Sequence, residues 1–383
     1  MMECELQMWE TPVKPVLTCK PSVTGLKGLL QVDVYAIGAA GFRRSVKQEG
    51  ATVFVTSLCE IDRLLEEKQL ATDQDLTDEQ LIDLKLPAQY LQFKDVFSRT
   101  ASDTLPPHRL YDHKIELEGE QEAALSYSPL RQQSAEELLA TKQYIIEHLG
   151  KGYIDSSQAP FAAPILFVRK ANGSLRFCVD FCKLNAVTRK DCYPLPLLDE
   201  TLARISKAKV FTKLDIRQAF YRIRVHPDSE DLTTFQTRYG TYKYKVLPFG
   251  LTNGPATWQR YMNDTLFDYL DDFCTAYLNN ILIYLENECK HKGYICKVLE
   301  RLYKAGLQAD ISKSEFNVQQ TKYLGFIIST DGIKVDPKKT SVIQQWEPLR
   351  TVKGAQSFLG FCNFYQRFIK DYSRIVRPLN RLI

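Results

Sequence analysis

The spacing of hydrophobic and polar residues predicts both helices and strands along most of the chain. The stretch SAEELLATKQYIIEHLGKGYI has the period of an amphipathic helix. Ser134 and Glu137 have the spacing of a capping box at its start, and Gly150 is expected to end it. The runs APILFVRK and LRFCVDF then predict two strands. Asn172-Gly173 between them predicts a hairpin.

Helices and strands continue to alternate toward the C-terminus. Further helices are expected in PLLDETLARISKA, in NGPATWQRYMNDTLFDYLDD with Pro255 in its first turn, over about 287–305, and three times within 336–383. Further strands are expected at the start of KVFTKLDIRQAF, on both sides of Tyr239-Gly240, on both sides of Asn279-Asn280, and in KYLGFIIS up to the turn TDG. The fold class is therefore expected to be α+β.

The N-terminal part is poorly patterned. Strands are expected in GLLQVDVYAIGAAGF and in ATVFVTSL, and the acidic stretch that follows is expected to be helical or flexible. The stretch SDTLPPHRLYDHKIELEGE contains Pro-Pro and a short alternating run, Lys114–Leu117, and predicts an extended connector with one short strand.

Composition narrows the class of protein only moderately. With 383 residues, 44% of them hydrophobic, the chain has room for two or three packed domains. A net charge of +4 permits nucleic-acid binding without indicating it. Ten cysteines without a C-x-x-C pair favour reduced thiols over a zinc site. No run approaches the roughly 18 apolar residues of a membrane span, and no targeting signal is evident, so we expect an intracellular protein, cytoplasmic or nuclear.

The segment YLDDFCTAYLNNILIYL twice contains Tyr-Leu followed by a pair of identical polar residues. Asp271 and Asp272 follow the first copy, at the expected end of a helix, where adjacent side chains point about 100° apart. They are interpreted as a solvated helix end. Asn279 and Asn280 follow the second copy and form the only polar break between two apolar strands. Asp215 follows a strand-like run, and from the residues alone a helix cap is an equally good interpretation of it.

Six motifs in order carry a resemblance to a known family. They are LRFCVDFCKLN, FTKLDIRQAF, VLPFGLTNGPATWQRYMN, YLNNILIY, KYLGFIISTDGIKVDP and FLGFCNFYQRFI. Over roughly residues 88–383 the chain resembles the reverse transcriptases of gypsy-type LTR retrotransposons. The resemblance implies a right-hand polymerase fold with fingers, thumb and an antiparallel palm sheet. It also implies a linker between protease and polymerase at 1–87, an extended lead-in at 88–140, fingers and palm at 141–335, and a thumb at 336–383 before any ribonuclease H.

The resemblance also assigns roles to individual residues. Asp215 matches the first metal-binding aspartate, with the backbone carbonyl of Ile216 as a second ligand. Asn279 and Asn280 occupy the places of the paired catalytic aspartates. The implied substrate-binding residues are the triphosphate cations Lys170 and Arg176, the steric gate Phe220, and Phe249 with Gly250 under the nucleotide. The implied primer grip is Tyr323, Leu324 and Gly325.

Five cations in the expected thumb, Lys353, Arg367, Lys370, Arg374 and Arg377, are either contacts to a nucleic-acid backbone or an ordinary solvated helix face. The resemblance implies Mg²⁺ or Mn²⁺ as cofactor and RNA template, DNA primer and dNTP as partners. It implies no membrane and leaves a homodimer open.

Asparagine offers a metal only a neutral carbonyl oxygen, so this copy is expected to be inactive or severely impaired and to bind metal weakly. The alternative is a non-catalytic nucleic-acid-binding scaffold with a polymerase fold.

Overall fold

The computed structural model describes residues 16–21, 32–37, 78–119, 125, 127–169, 173–286 and 288–381. Contacts divide the chain into two compact units, Met1–Asp75 and Leu76–Ile383. In the first unit, β1 (Val16–Pro21) pairs antiparallel with β2 (Val32–Ile37). Strand β2 lies in one stretch that was expected to hold a strand. The other stretch, ATVFVTSL, lies outside the described residues.

The second unit contains both helices and strands. Its α-helices are α1 (Asp78–Lys85), α2 (Arg99–Ser102), α3 (Ala135–Gly150), α4 (Cys182–Val187), α5 (Leu198–Ile205), α6 (Gly254–Leu266), α7 (Glu288–Lys304), α8 (Pro337–Gln344), α9 (Val352–Phe364) and α10 (Tyr372–Asn380). Its strands are β3 (Ile154–Ser156), β4 (Ala163–Arg169), β5 (Leu175–Val179), β6 (Val210–Asp215), β7 (Phe235–Thr237), β8 (Gly240–Tyr244), β9 (Cys274–Tyr277), β10 (Asn280–Leu285), β11 (Glu315–Val318), β12 (Gln320–Tyr323), β13 (Phe326–Ser329) and β14 (Gly332–Val335).

Helix α3 begins with the predicted capping box. The Ser134 hydroxyl accepts a hydrogen bond from the Glu137 backbone N–H at 3.2 Å, and the Glu137 carboxylate accepts one from the Ser134 N–H at 2.8 Å. The helix ends at Gly150, but the residue with a left-handed backbone is Gly152, at φ 69°. The glycine that turns the chain is therefore Gly152, because this conformation is open to a residue without a Cβ.

A four-stranded antiparallel sheet lies at the centre of the larger core. Its strand order is β11-β6-β10-β9, so β6 and β10 are its inner strands. Apolar residues of α6 and α7 pack in the same core as Ile281 and Ile283 of β10. Trp258 and Met262 of α6 are fully buried there, as the helical spacing of these residues predicts.

A second sheet has five strands in the order β3-β8-β7-β4-β5. Strands β4 and β7 pair parallel, and the other pairs are antiparallel. Strands β4 and β5 form the predicted hairpin, with Gly173 at φ 84° in its turn. The two strands predicted around Tyr239-Gly240 are β7 and β8.

The third sheet, β12-β13-β14, corrects one sequence expectation. The run KYLGFIIS does not form one strand, because the chain reverses at Leu324 (φ 50°) and Gly325 (φ 86°) between β12 and β13. Tyr323, Phe326 and Ile328 are buried in a second core together with Tyr365, which follows α9. The three helices predicted for 336–383 are α8, α9 and α10.

Two further expectations were wrong in detail. Lys114–Leu117 is extended but forms no strand, since only His113 and Leu117 make isolated bridges, to Val225 and Thr188. Asp271 and Asp272 do not end a helix, because α6 ends at Leu266 and the aspartates lie in the turn before β9. Both are exposed, as expected of solvated residues, and Asp271 forms an ion pair with Arg204.

Within the part of the chain that the structure describes, no helix is both long enough and apolar enough to cross a membrane.

Candidate active site

The strand hairpin β9–β10 brings three predicted site residues together. Asn280, the first residue of β10, lies opposite Asp215, the last residue of β6. The turn is closed by Leu278, at φ 52°, and by Asn279. The Ile216 N–H donates a hydrogen bond to the Asn279 carbonyl at 2.7 Å. The sheet register therefore places Asp215, Asn279 and Asn280 side by side.

The side chains of these residues are joined by hydrogen bonds. Asn279 Nδ2 donates to Asp215 Oδ2 at 3.0 Å, and Asn280 Nδ2 donates to Asn279 Oδ1 at 3.3 Å. Burial raises the pKa of the Asp215 carboxyl, against the opposing effect of the nearby Lys313 ammonium. Each asparagine thus directs an amide donor toward an acceptor of the same site.

Three residues around Asp215 were missed by the sequence argument. Lys313 Nζ lies 3.5 Å from Asp215 Oδ1 and 3.7 Å from Asp310 Oδ2. The Asp310 N–H donates to the Asp215 carbonyl at 2.7 Å, and Arg217 lies 3.6 Å from Asp310 Oδ1. Burial alone would raise the pKa of Asp310, but hydrogen bonds from Ser312 and the charge of Arg217 lower it overall. No local motif marks Lys313 and Asp310, because they reach the site from a segment almost one hundred residues away in sequence.

The donor set does not fit a two-metal centre. Asp215 is the one carboxylate among the three residues that the resemblance assigns to the metals, and one of its oxygens already accepts a hydrogen bond from Asn279. Among the described residues, no group of three or more His, Cys, Asp or Glu side chains is arranged to hold a metal ion. Since hard divalent cations select charged oxygen ligands, the site lacks the ligands that the resemblance implies.

The predicted nucleotide-facing aromatic residues also meet. The rings of Phe220 and Phe249 lie 4.9 Å apart, edge to face, and Phe249 is 61% exposed. Gly250 has φ 99°, and an added Cβ there would lie 3.5 Å from both Phe181 and the Val179 carbonyl. Asn185 Nδ2 donates to the Gly250 carbonyl at 2.7 Å, which fixes this loop.

Of the two predicted triphosphate-binding cations, the structure describes one, and it lies in a different sheet from Asp215. Arg176 is exposed on β5, in the five-stranded sheet rather than in the sheet that holds Asp215. Lys170 lies outside the described residues.

The predicted primer grip is tied to the strand that carries Asp215. Tyr323, Leu324 and Gly325 form the end of β12 and its turn. Lys213 of β6 donates to the Lys322 carbonyl at 3.3 Å and to Glu315 Oε1 at 2.8 Å. Because both contacts come from one side chain, the position of the turn is coupled to β6.

The five predicted thumb cations are all exposed. Arg367 lies 3.6 Å from Asp199. Exposure of all five agrees equally with a solvated face and with a surface for nucleic acid. The five are Lys353, Arg367, Lys370, Arg374 and Arg377.

Comparison with known proteins finds relatives of this chain in sequence and in fold. A sequence profile of the family described as reverse transcriptase (RNA-dependent DNA polymerase) matches residues 168–328. The retrovirus-related Pol polyprotein from transposon opus of Drosophila melanogaster is 39% identical over 246 residues, 63% of this chain and 24% of the relative. The transposon Tf2-7 polyprotein of Schizosaccharomyces pombe is 32% identical over 302 residues, 78% of this chain and 22% of the relative. The chain thus spans about a quarter of the length of these relatives.

Solved structures are similar in fold. The foamy viral protease-reverse transcriptase in complex with an RNA/DNA hybrid matches with a TM-score of 0.66 at 21% identity, covering 91% of this chain and 46% of that one. The same protein in complex with dsDNA matches with a TM-score of 0.68 at 21% identity, covering 87% and 67%. These likenesses confirm the predicted α+β right-hand fold, whose antiparallel palm sheet is β11-β6-β10-β9.

Proposed function

Because this chain contains a reverse transcriptase domain of the kind found in LTR retrotransposon polyproteins, we propose that it binds template and primer but has lost nucleotidyl transfer. Its proposed partners are an RNA template, a DNA primer and a dNTP. We propose that residues 1–87 are the linker before the polymerase, 88–140 the lead-in, 141–335 fingers and palm, and 336–383 the thumb. A homodimer stays open, and analytical ultracentrifugation of the chain would decide it.

One observation carries the proposed loss of activity. The Asn279 amide donates to Asp215 Oδ2, where the resemblance implies a carboxylate that shares a metal ion with Asp215. Reverse transcriptases as a family depend on divalent metal ions, and the two asparagines remove two negative charges from that place. We therefore propose that Mg²⁺ or Mn²⁺ binding is weakened. Metal assistance stabilises a transition state by several kcal/mol, and each 1.36 kcal/mol changes a rate about tenfold.

The proposal is tested by single-nucleotide incorporation into a DNA primer on an RNA template, with Mg²⁺ and then with Mn²⁺. We expect no product above that of heat-denatured protein. Robust, metal-dependent incorporation by the chain as it stands would contradict the proposal.

A second candidate function, a non-catalytic nucleic-acid-binding scaffold, has its own support. The rings of Phe220 and Phe249 remain in contact, and Arg176 and the five thumb cations remain exposed. The cations would contact phosphates by charge and the aromatic rings would stack on bases, and neither contact needs a metal ion.

A gel shift with an RNA–DNA hybrid tests whether the chain binds nucleic acid at all. We expect binding at low salt that weakens steeply as salt rises, and a smaller salt dependence for the Arg374→Gln, Arg377→Gln variant. Lys297→Gln, on the exposed face of α7, is the control and should bind as the parent does. Absence of binding at low salt would remove the scaffold function.

A further inference from the structure

A fully buried glutamine lies directly behind the turn of the β9–β10 hairpin. Gln259 belongs to α6 and has no exposed surface. Its Oε1 accepts a hydrogen bond from the Leu278 N–H at 2.8 Å, and its Nε2 donates to the Ala276 carbonyl at 2.9 Å. One side chain therefore binds both strand β9, at Ala276, and the turn residue Leu278.

The turn needs such a partner. Leu278 has φ 52°, a left-handed conformation that a side chain with a Cβ adopts at a cost of about 1 kcal/mol. Its N–H points into the protein and meets Gln259 there. A buried N–H without an acceptor is costly, so loss of Gln259 Oε1 would favour a different turn.

The orientation of the Gln259 amide is set by two backbone groups. The Leu278 N–H requires the oxygen and the Ala276 carbonyl requires the nitrogen. Asn263 Oδ1 accepts the second N–H of Gln259 Nε2 at 2.8 Å, and Asn263 Nδ2 donates to the Tyr193 hydroxyl at 2.8 Å. Both N–H groups of the Gln259 amide therefore have acceptors.

We propose that Gln259 is a positioning residue that holds the Leu278–Asn280 turn beside Asp215 without help from a metal ion. The inference rests on the proposed function, in which this turn occupies the place of the paired catalytic aspartates. Gln259 contacts the backbone of the hairpin and neither asparagine side chain. The contact between Gln259 and the backbone of the turn thus does not depend on whether residues 279 and 280 carry a charge.

The first test measures backbone protection by NMR hydrogen exchange on the full chain. Gln259→Met keeps the volume and removes both hydrogen bonds to the hairpin, and we expect the Leu278 amide to exchange at least tenfold faster. The Tyr284 N–H, which donates to the Phe273 carbonyl at the other end of the hairpin, should change less than threefold. Equal acceleration at both amides, or none at Leu278, would overturn the proposal.

Two further variants control this test. Tyr261→Phe removes a buried hydrogen bond from the same helix, to the Ala305 carbonyl, and should leave Leu278 unchanged. Asn263→Ala removes the acceptor of the second Gln259 N–H and should accelerate Leu278 at least threefold even if Gln259→Met does not fold. No change at Leu278 in Asn263→Ala would count against the proposed contribution of this contact.

The second test uses the Asn279→Asp, Asn280→Asp background and primer extension. There we expect Gln259→Met to lower kcat at least tenfold with less than a threefold change in KM for dNTP, and Tyr261→Phe to change neither. Equal losses in the two variants would show a merely structural role. If the background itself is inactive, the proposed function fails, whereas the exchange experiment still decides the role of Gln259.

Discussion

At the scale of single residues, the properties of the site are decided by the charge at positions 215, 279 and 280. Asp215 is partly buried, and its carboxylate is surrounded by the Asn279 amide and the Lys313 ammonium. In that state its charge is balanced locally. Two further carboxylates would repel it unless cations were bound between them.

This balance predicts the behaviour of the double reversion Asn279→Asp, Asn280→Asp. In EDTA we expect it to melt no higher than the parent, with a loss of about 1 to 2 kcal/mol from like-charge repulsion. Mg²⁺ should raise its melting temperature but not that of the parent, because a ligand that binds the folded state stabilises it. Differential scanning fluorimetry measures both effects.

The control for that experiment is Asp272→Asn. This exposed aspartate belongs to the Asp271-Asp272 pair, which lies outside the site. It should leave the response to Mg²⁺ unchanged. A Mg²⁺-dependent rise in the melting temperature of the parent would show that the present side chains hold the metal after all.

The sequence could predict part of this site at residue resolution. Asp215, Asn279 and Asn280 end or begin strands, and polar residues at the ends of apolar runs are visible in the pattern. Gln259, Asp310 and Lys313 were not predicted, because each reaches the site by a contact between different elements. Gln259 contacts the turn, and Asp310 and Lys313 contact Asp215. The local periodicity of hydrophobic residues does not predict a contact between two elements.

At the scale of elements, helix α3 is the most direct case of a sequence signal that sets a boundary. Ser134→Ala removes the side-chain acceptor for the Glu137 N–H, and we expect a loss of about 1 kcal/mol. Urea denaturation measures this loss. Lys142→Ala, at an exposed position inside the same helix, should stay within about 0.5 kcal/mol of the parent. Equal stability of Ser134→Ala and the parent would exclude a contribution of the cap.

The β12–β13 turn gives a second prediction. Gly325 has φ 86°, and an added Cβ would meet the Tyr365 hydroxyl at 3.2 Å. We expect Gly325→Ala to cost about 1 to 2 kcal/mol, because the backbone strain adds to the contact. Gly360→Ala, inside α9 with open space around it, should instead stabilise by about 0.5 to 1 kcal/mol.

Thermal melts of the two alanine variants compare them directly. Opposite signs are expected, and a neutral Gly325→Ala would show that the left-handed turn is not required. The same turn shows why an element was mispredicted. Strand residues lie on both sides of Leu324-Gly325, so the apolar pattern of KYLGFIIS continues through the reversal.

At the scale of the whole molecule, three buried histidines link folding to pH. Burial lowers the pKa of His113, His148 and His291 to about 4. In the unfolded chain a histidine has a pKa of about 6.5. The unfolded state therefore takes up protons first, and stability is lost as the pH falls from about 6.5 toward 4.

We expect each of these histidines to cost about 2 kcal/mol of stability between pH 7 and pH 5. Urea denaturation across this range measures the slope. Asp215, whose pKa burial raises, acts in the opposite direction but only near its own, more acidic range. His291→Asn should flatten the slope by one proton. A slope unchanged by His291→Asn would contradict burial in the neutral form.

The overall fold was predictable for a different reason than the site. The hairpins β4–β5, β7–β8 and β9–β10 are local, and the sequence displays their apolar runs and turn residues. The pairings of β3 with β8 and of β4 with β7 join segments far apart in sequence. The pairing of β6 with β10 and β11 joins segments far apart in sequence, and the pattern alone does not specify it. The resemblance to a family implied an antiparallel palm sheet and one site for Asp215, Asn279 and Asn280, whereas strand β11 was not expected.

The most direct measurement compares primer extension by the parent chain and by the Asn279→Asp, Asn280→Asp variant on an RNA template with Mg²⁺. We expect the parent to remain at background and the variant to exceed it at least about a hundredfold, because several kcal/mol of metal assistance return with the two carboxylates. Equal extension by the two proteins, or none by the variant, would contradict the claim that the asparagine pair accounts for the loss of catalysis.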